Sequence, residues 1–233
     1  MKKLSLILGF VLLAAFANGA VSKSVNMTTA GTLNTLFTST EKSTVTDLTV
    51  TGTIDARDLK FMRDNMTMLT NLDLSSINII SYSGDAGPSY SSSFPANQIS
   101  ENAFYGKTSL KSIKLPTSIT SIGQFAFYQS GLTGILTLPG NLKSIGYLAF
   151  YECTGLTGTI IIPKSVNQIE SVPFGLCSGI TEFIVEDGNN YFTATNGILF
   201  NKDQTRLILY PCGKTGNYEI PGTVNIISEN SFA

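Results

Sequence analysis

From Ile99 onward the apolar residues fall into a repeated phrase. It runs Ile, three residues, Ala-Phe, a short polar turn, then Leu-x-x-Ile-x-Leu-Pro and a link back to Ile. The copies are ISENAFYGKTSLKSIKLPTSIT, IGQFAFYQSGLTGILTLPGNLKS and IGYLAFYECTGLTGTIIIPKSVNQ, with a fourth opening as IESVPFGLCSGITEFIVE and a fifth as ISENSFA from Ile227. The phenylalanines stand at Phe104, Phe127, Phe150, Phe174 and Phe232, and the first three steps between them are 23, 23 and 24 residues. Prolines close the strand-like segments at Pro116, Pro139, Pro163 and Pro221. A strand points alternate side chains to opposite faces. Ile113 and Leu115 therefore share one face, as do Leu136 and Leu138, Ile160 and Ile162, and Phe183 and Val185. One copy cannot bury such a pair alone. Stacked copies bury a continuous core, with each proline ending its strand because it has no N–H to donate.

The pattern begins earlier in weaker form. VTDLTVTGTI (Val45 to Ile54) aligns with LTNLDLSSINI (Leu69 to Ile79), and Leu48 and Leu72 are 24 residues apart. Between them DARDLKFMRDN reads as a helix, with Asp55 as N-cap and Leu59 and Met62 on its apolar face. A shorter helix is expected from Ala30 to Phe37, with Leu33, Leu36 and Phe37 turned inward. Two stretches break the period. Ser81 to Asn97 is a Gly/Ser/Pro loop, and GILF and RLILYP flank NKDQT as a hairpin would. The organisation that follows is 1–20 an export signal, 21–44 an N-terminal cap, 45–98 irregular repeats with the loop, and 99–233 regular repeats with a hairpin insertion at about 187–217.

A period of this length lies in the leucine-rich-repeat range. The phrases IGQFAFYQSGLTGILTLPGNLKSIGYLAFYECTGL and GILFNKDQTRLILYPCG resemble the BspA-like leucine-rich repeats, specifically from about Ile99 to Ala233 and more loosely from Val45 to Ile79. The resemblance implies a solenoid of stacked parallel short strands with short helices or turns. It also implies a secreted or surface protein of a kind linked to adhesion to host matrix proteins and other cells. Pro173, preceded by Val172, departs from the pattern by standing where alanine is expected. No catalytic or binding motif is available to carry over.

Composition narrows the function. Lys2 and Lys3, the apolar run Leu4 to Ala17 and the small residues Ala17, Gly19 and Ala20 form a signal peptide, too short to span a bilayer. No membrane span is expected in the mature chain, whose destination is secretion or the outer surface, with the periplasm as the other possibility. Without Lys2 and Lys3 the balance is 13 basic to 16 acidic residues. There is no basic footprint for nucleic acid. With no histidine in the sequence, the commonest general base and metal ligand is missing. No enzyme, cofactor or metal is expected. DGNN (Asp187 to Asn190) lacks the carboxylate spacing of a calcium loop and reads as a turn. Asp55, Asp58 and Asp64 do not share one helix face and read as cap and solvated charges. Cys153 and Cys177 occupy matching positions; free buried thiols are expected, with a bridge as the alternative.

The expected function is non-enzymatic binding through the repeat surface to a protein or glycan on host or neighbouring cells. The rival reading is a structural or scaffolding module of a larger cell-envelope protein. Two surfaces are candidates. On the outward face of the sheet stand Lys114, Thr137, Ile161 and Ile184, with Ile135 in the adjoining row. The isoleucines either form an exposed apolar patch or lie under a covering layer. Tyr105, Tyr128 and Tyr151 each follow a core phenylalanine and should form an edge column, either for contact or to shield the corner. The sequence stops inside the fifth copy, which suggests truncation or an edge that pairs with another chain.

Overall fold

The computed structural model describes residues 19–233, so the expected signal peptide lies almost wholly outside the described residues. The rest is a stack of coils with two walls of parallel strands. The first wall runs through Ser22–Met27, Asp47–Ile54, Asn71–Ile79 and Ser112–Lys114 in one parallel sheet. It continues through Thr133–Gly134, Gly155–Ile162 and Gly179–Val185. Thr133 N donates to Lys111 O at 3.0 Å, joining the two parts. The second wall is a ladder of two-residue strands, Gln98–Ile99, Ser121–Ile122, Ser144–Ile145 and Gln168–Ile169, each opening one copy of the repeat.

The phenylalanines of the phrase form the spine. Phe104, Phe127, Phe150 and Phe174 are buried and stack in order, with ring centroids 5.4, 5.0 and 5.2 Å apart. That spacing is the distance between neighbouring strands, so identical residues one repeat apart come into face contact. At the corner beside them, Ala103, Ala126 and Ala149 are buried. Phe104 N donates to Ala126 O, Phe127 N to Ala149 O and Phe150 N to Pro173 O, each at 2.7 Å. Pro173 is tolerated because the preceding coil uses only its carbonyl. The N–H it lacks would make the local turn bond that Ala126 makes to Gly123 O.

Each corner is turned by two residues in the left-handed region. One column holds Asn102, Phe125, Leu148 and Val172; the other holds Gly106, Gln129, Glu152 and Leu176, with φ from 51° to 64°. Gly123 and Gly146 are required for a different reason. A Cβ on Gly146 would stand 2.7 Å from Gln124 N, against the backbone of the preceding coil.

Three expectations need correction. Leu36 faces solvent, because the segment after Ala30 is a single 3-10 turn, Leu33–Leu36, that presents only Leu33 to the core, followed by buried Phe37. Phe232 leaves the spine: it is half-exposed and stacks on Tyr210 at 5.0 Å, since the hairpin insertion separates the fifth copy from Phe174. Asp58 is buried rather than solvated. Its carboxylate accepts from Gly31 N at 2.6 Å, Leu33 N at 3.0 Å and Asp55 N at 3.1 Å, tying the 3-10 turn to the first turn of the helix Ala56–Asn65. Burial raises its pKa, opposed by those N–H donors. Segment 21–44 also supplies a strand of the first wall, Ser22–Met27. Asp55 caps the helix as expected, and Asp64 is exposed.

The hairpin forms as Ile198–Asn201 against Arg206–Leu209, and a further strand, Phe192–Thr195, joins it. In the DGNN turn, Asn189 is buried and pins the chain: its Nδ2 donates to Pro163 O and Val166 O, and its Oδ1 accepts from Tyr191 N and Phe192 N.

Candidate binding surface

The outward face of the first wall carries the two predicted rows. Register places Lys114 beside Asp73 and Ile184 beside Ile161. The isoleucines are uncovered: Ile135 is 74% exposed, Ile161 49% and Ile184 43%. Thr137 and Lys114 are exposed as well. The face therefore changes character along the stack. Near the N-terminus it is polar, with Asp47, Asn71, Asp73, Ser112 and Lys114 around a shallow pocket. Lys114 Nζ lies 2.9 Å from Asp73 Oδ2, and the Ser75 hydroxyl and that ammonium hold the Asp73 carboxyl down at about 2. From the second copy onward exposed isoleucines appear on it. Ile135 lies over the bare backbone of Gly158, where a Cβ would meet its Cγ1 at 3.6 Å. Thr159, in the same row, donates to Glu182 at 3.3 Å.

The tyrosine column exists, and its geometry limits what it can offer. Tyr105 and Tyr128 stack with centroids 4.9 Å apart and planes 5° apart; Tyr128 and Tyr151 follow at 5.4 Å and 10°. The ring faces between Tyr105 and Tyr151 are spent on one another. Tyr151 ends the run over Gly175, where a Cβ would collide with it at 2.8 Å. Phe125 meets Tyr128 and Tyr147 edge-on. What the column presents is a line of ring edges and hydroxyls. Burial and the neighbouring Tyr105 push the Tyr128 phenol up.

The cysteines form a column that sequence reasoning saw only in part. Cys153 Sγ donates to Phe127 O at 3.0 Å and Cys177 Sγ to Phe150 O at 3.1 Å, while Cys212 Sγ lies 3.7 Å from Phe174 O and donates to the nearer Ala233 O at 2.7 Å. The Cys153 and Cys177 thiols thus reach the carbonyl of the core phenylalanine one coil back. All three are free, as expected for Cys153 and Cys177. Burial pushes the Cys153 thiol up to about 11 and also raises Cys177 and Cys212. One coil before Cys153 the column holds Ser130, whose Oγ lies 3.2 Å from Cys153 Sγ, and two coils before it Lys107 donates to Arg63 O and Met66 O at the helix end. No cluster of three or more potential metal ligands occurs among the described residues.

Residues 89–203 match the model of the BspA type leucine rich repeat region, in six copies. The chain belongs to the BspA-type leucine-rich repeat family through these residues. One solved structure agrees on the fold over nearly the whole chain. A leucine-rich repeat protein from Eubacterium ventriosum is 20% identical with a TM-score of 0.62, over 93% of this chain and 53% of that one. The pneumococcal vaccine antigen PcpA is 22% identical with a TM-score of 0.48, over 79% of this chain and 42% of that one. The BspA-type chain spans about half the length of these proteins. No curated protein matches it. Leucine-rich repeats are as a class a protein-interaction fold, and no described helix of this BspA-type chain is long and apolar enough to cross a membrane.

Proposed function

We propose that this chain is a non-enzymatic binding protein, exported to the cell surface or medium, that adheres to a protein on host matrix or neighbouring cells. The observation that carries this reading is that Ile135, Ile161 and Ile184, from two adjoining rows, are all uncovered on one face of the sheet. Exposed apolar side chains on one face favour a partner that removes them from water. The polar end of the same wall, with Asp73 and Lys114, supplies a rim that fixes orientation rather than affinity. Each contact is weak, and display of many copies raises the effective concentration at a second contact. The tyrosine edges at Tyr105, Tyr128 and Tyr151 add a second line of contact for a protein partner more readily than for a glycan, because the ring faces within the column are occupied.

The test is binding of the purified chain to immobilised matrix proteins, mucins and whole cells, with Ile161→Lys as the variant. Retained folding with binding reduced at least about tenfold supports the reading. Unchanged binding with an intact fold removes the isoleucines from it. Failure to bind any of these surfaces favours the scaffolding role.

A further inference from the structure

The second wall breaks at a definite point. Its pairing ends at Gln168–Ile169, which is the edge strand of the sheet. In a regular stack the next rung would be Arg206–Leu209. That strand pairs instead with Ile198–Asn201 on one side and with Ile226–Ile227 on the other. The two coils nevertheless touch elsewhere: Gly213 N donates to Ile180 O at 2.8 Å, and Cys212 Sγ lies 3.7 Å from Phe174 O. They are closed at one wall and parted at the other. The opening is a cleft of about 580 Å³ whose lining includes Tyr147, Ile169, Glu170, Val172, Arg206 and Glu229.

Glu170 is the group that gives the cleft its chemistry. It lines this cleft and also a neighbouring groove of about 350 Å³ that runs over Gly123 and Gly146. Its carboxylate accepts from Tyr147 N at 2.8 Å, Gln168 Nε2 at 3.4 Å and Gln124 Nε2 at 3.5 Å. All three donors are neutral, and Glu170 takes part in no ion pair among the described residues. The carboxylate is held in place without its charge being met. Glu101 and Glu229 add to it, against Arg206 alone, so cleft and groove together are acidic.

We propose that the cleft binds an extended peptide segment that adds as a strand to the Gln168–Ile169 edge and sets a lysine or arginine against Glu170. An unpaired strand edge offers alternating main-chain donors and acceptors, which an extended peptide satisfies in register. Alternate side chains of such a strand face opposite ways. One set meets the apolar seat of Ile169, Val172 and Ile208; the other carries the cation to Glu170. Charge complementarity excludes an acidic partner, and a glycan has no backbone amides for the edge. This site lies on a different wall from the exposed isoleucines and does not depend on them.

The experiment uses fluorescein-labelled six-residue peptides and the whole chain, read by anisotropy at low and high salt. The probes alternate valine with lysine, valine with glutamate, and valine with lysine with alternate amides N-methylated. The valine-lysine peptide should bind, more weakly as salt rises, and the other two should bind at least about tenfold more weakly. Glu170→Gln should weaken it about tenfold and Arg206→Ser should strengthen it, while Ile161→Lys leaves it unchanged. Circular dichroism confirms that each variant is folded. Equal binding of the lysine and glutamate peptides, insensitivity to N-methylation, or binding of cellohexaose or chitohexaose in preference to the peptide would each overturn the proposal.

Discussion

Phe127 and Phe150, one repeat apart, lie face to face with their ring centroids 5.0 Å apart and their planes 5° from parallel. Phe127 has a second such neighbour in Phe104, so it is packed on both faces. Phe127→Ala should destabilise the chain by about 3–5 kcal/mol, the range for deleting a buried ring and leaving a cavity. Phe232→Ala, at a half-exposed ring outside the spine, should cost about 1 kcal/mol or less. Urea denaturation of the two variants side by side checks the difference. Equal losses would mean that the stack is not what holds the core together.

The corner residue Leu176 has φ of 56° and an exposed side chain, and its counterpart in the first regular copy is Gly106. A side chain in that region costs roughly 1–2 kcal/mol relative to glycine. Leu176→Gly should therefore stabilise the fold by about 0.5–1 kcal/mol after the loss of unfolded-chain entropy is counted. Leu176→Val, which is β-branched, should destabilise it. Thermal melting of both variants gives the sign.

Asp73 sits at about 2, below the ordinary carboxylate value of 3.8, because the Ser75 hydroxyl and Lys114 donate to it. A depressed carboxylate stabilises the folded chain above the unfolded pKa, and that contribution is lost as pH falls through about 2. Lys114 is 70% exposed, so solvent screens the pair. The expected contribution is about 1 kcal/mol or less. Asp73→Asn should lower stability at pH 7 by that amount and should converge with the parent chain near pH 2. Denaturant midpoints across that range report it; parallel curves at all pH values would contradict it.

The thiol column makes a chemical prediction. Cys153 titrates at about 11, and burial also raises Cys177 and Cys212. The thiolate is the reactive form, so the native chain at pH 8 should resist Ellman's reagent at Cys153 and Cys177. The partly buried Cys212 should react slowly. In urea all three should react. Fast native labelling of Cys153 would show that the coils open locally.

Gly146→Ala tests the closeness of the coils. Its Cβ would meet Gln124 N at 2.7 Å, whereas a Cβ on Gly140 would meet nothing within 4 Å. The first substitution should cost about 1–3 kcal/mol, as overpacking against backbone does. The second should change stability by no more than about 0.5 kcal/mol.

The repeat was legible where stacking imposes its own period. Phe104, Phe127, Phe150 and Phe174 had to coincide because each can be buried only by its copies. The outward rows followed from strand alternation once the inward residues were known. The second wall was less visible, since two-residue strands such as Ser144–Ile145 are too short for alternation to declare itself. Leu36 and Phe232 were misplaced where the period lapses and an apolar residue loses the neighbours that would cover it. Asp58 was misjudged because the N–H groups that admit it to the interior come from Gly31 and Leu33, some twenty-five residues away in the chain. The cleft at Glu170 had no sequence signal at all. It arises from a pairing choice made by the inserted hairpin.

The strict register of Ser121 with Ser144 and of Ile122 with Ile145 has an evolutionary corollary. A unit of 23 residues copied in frame between two such coils presents the same edges above and below as the coil it displaces. Such a duplication lengthens the molecule by about 4.8 Å without a new core having to be invented. The length of the stack is then a quantity that recombination can adjust one rung at a time.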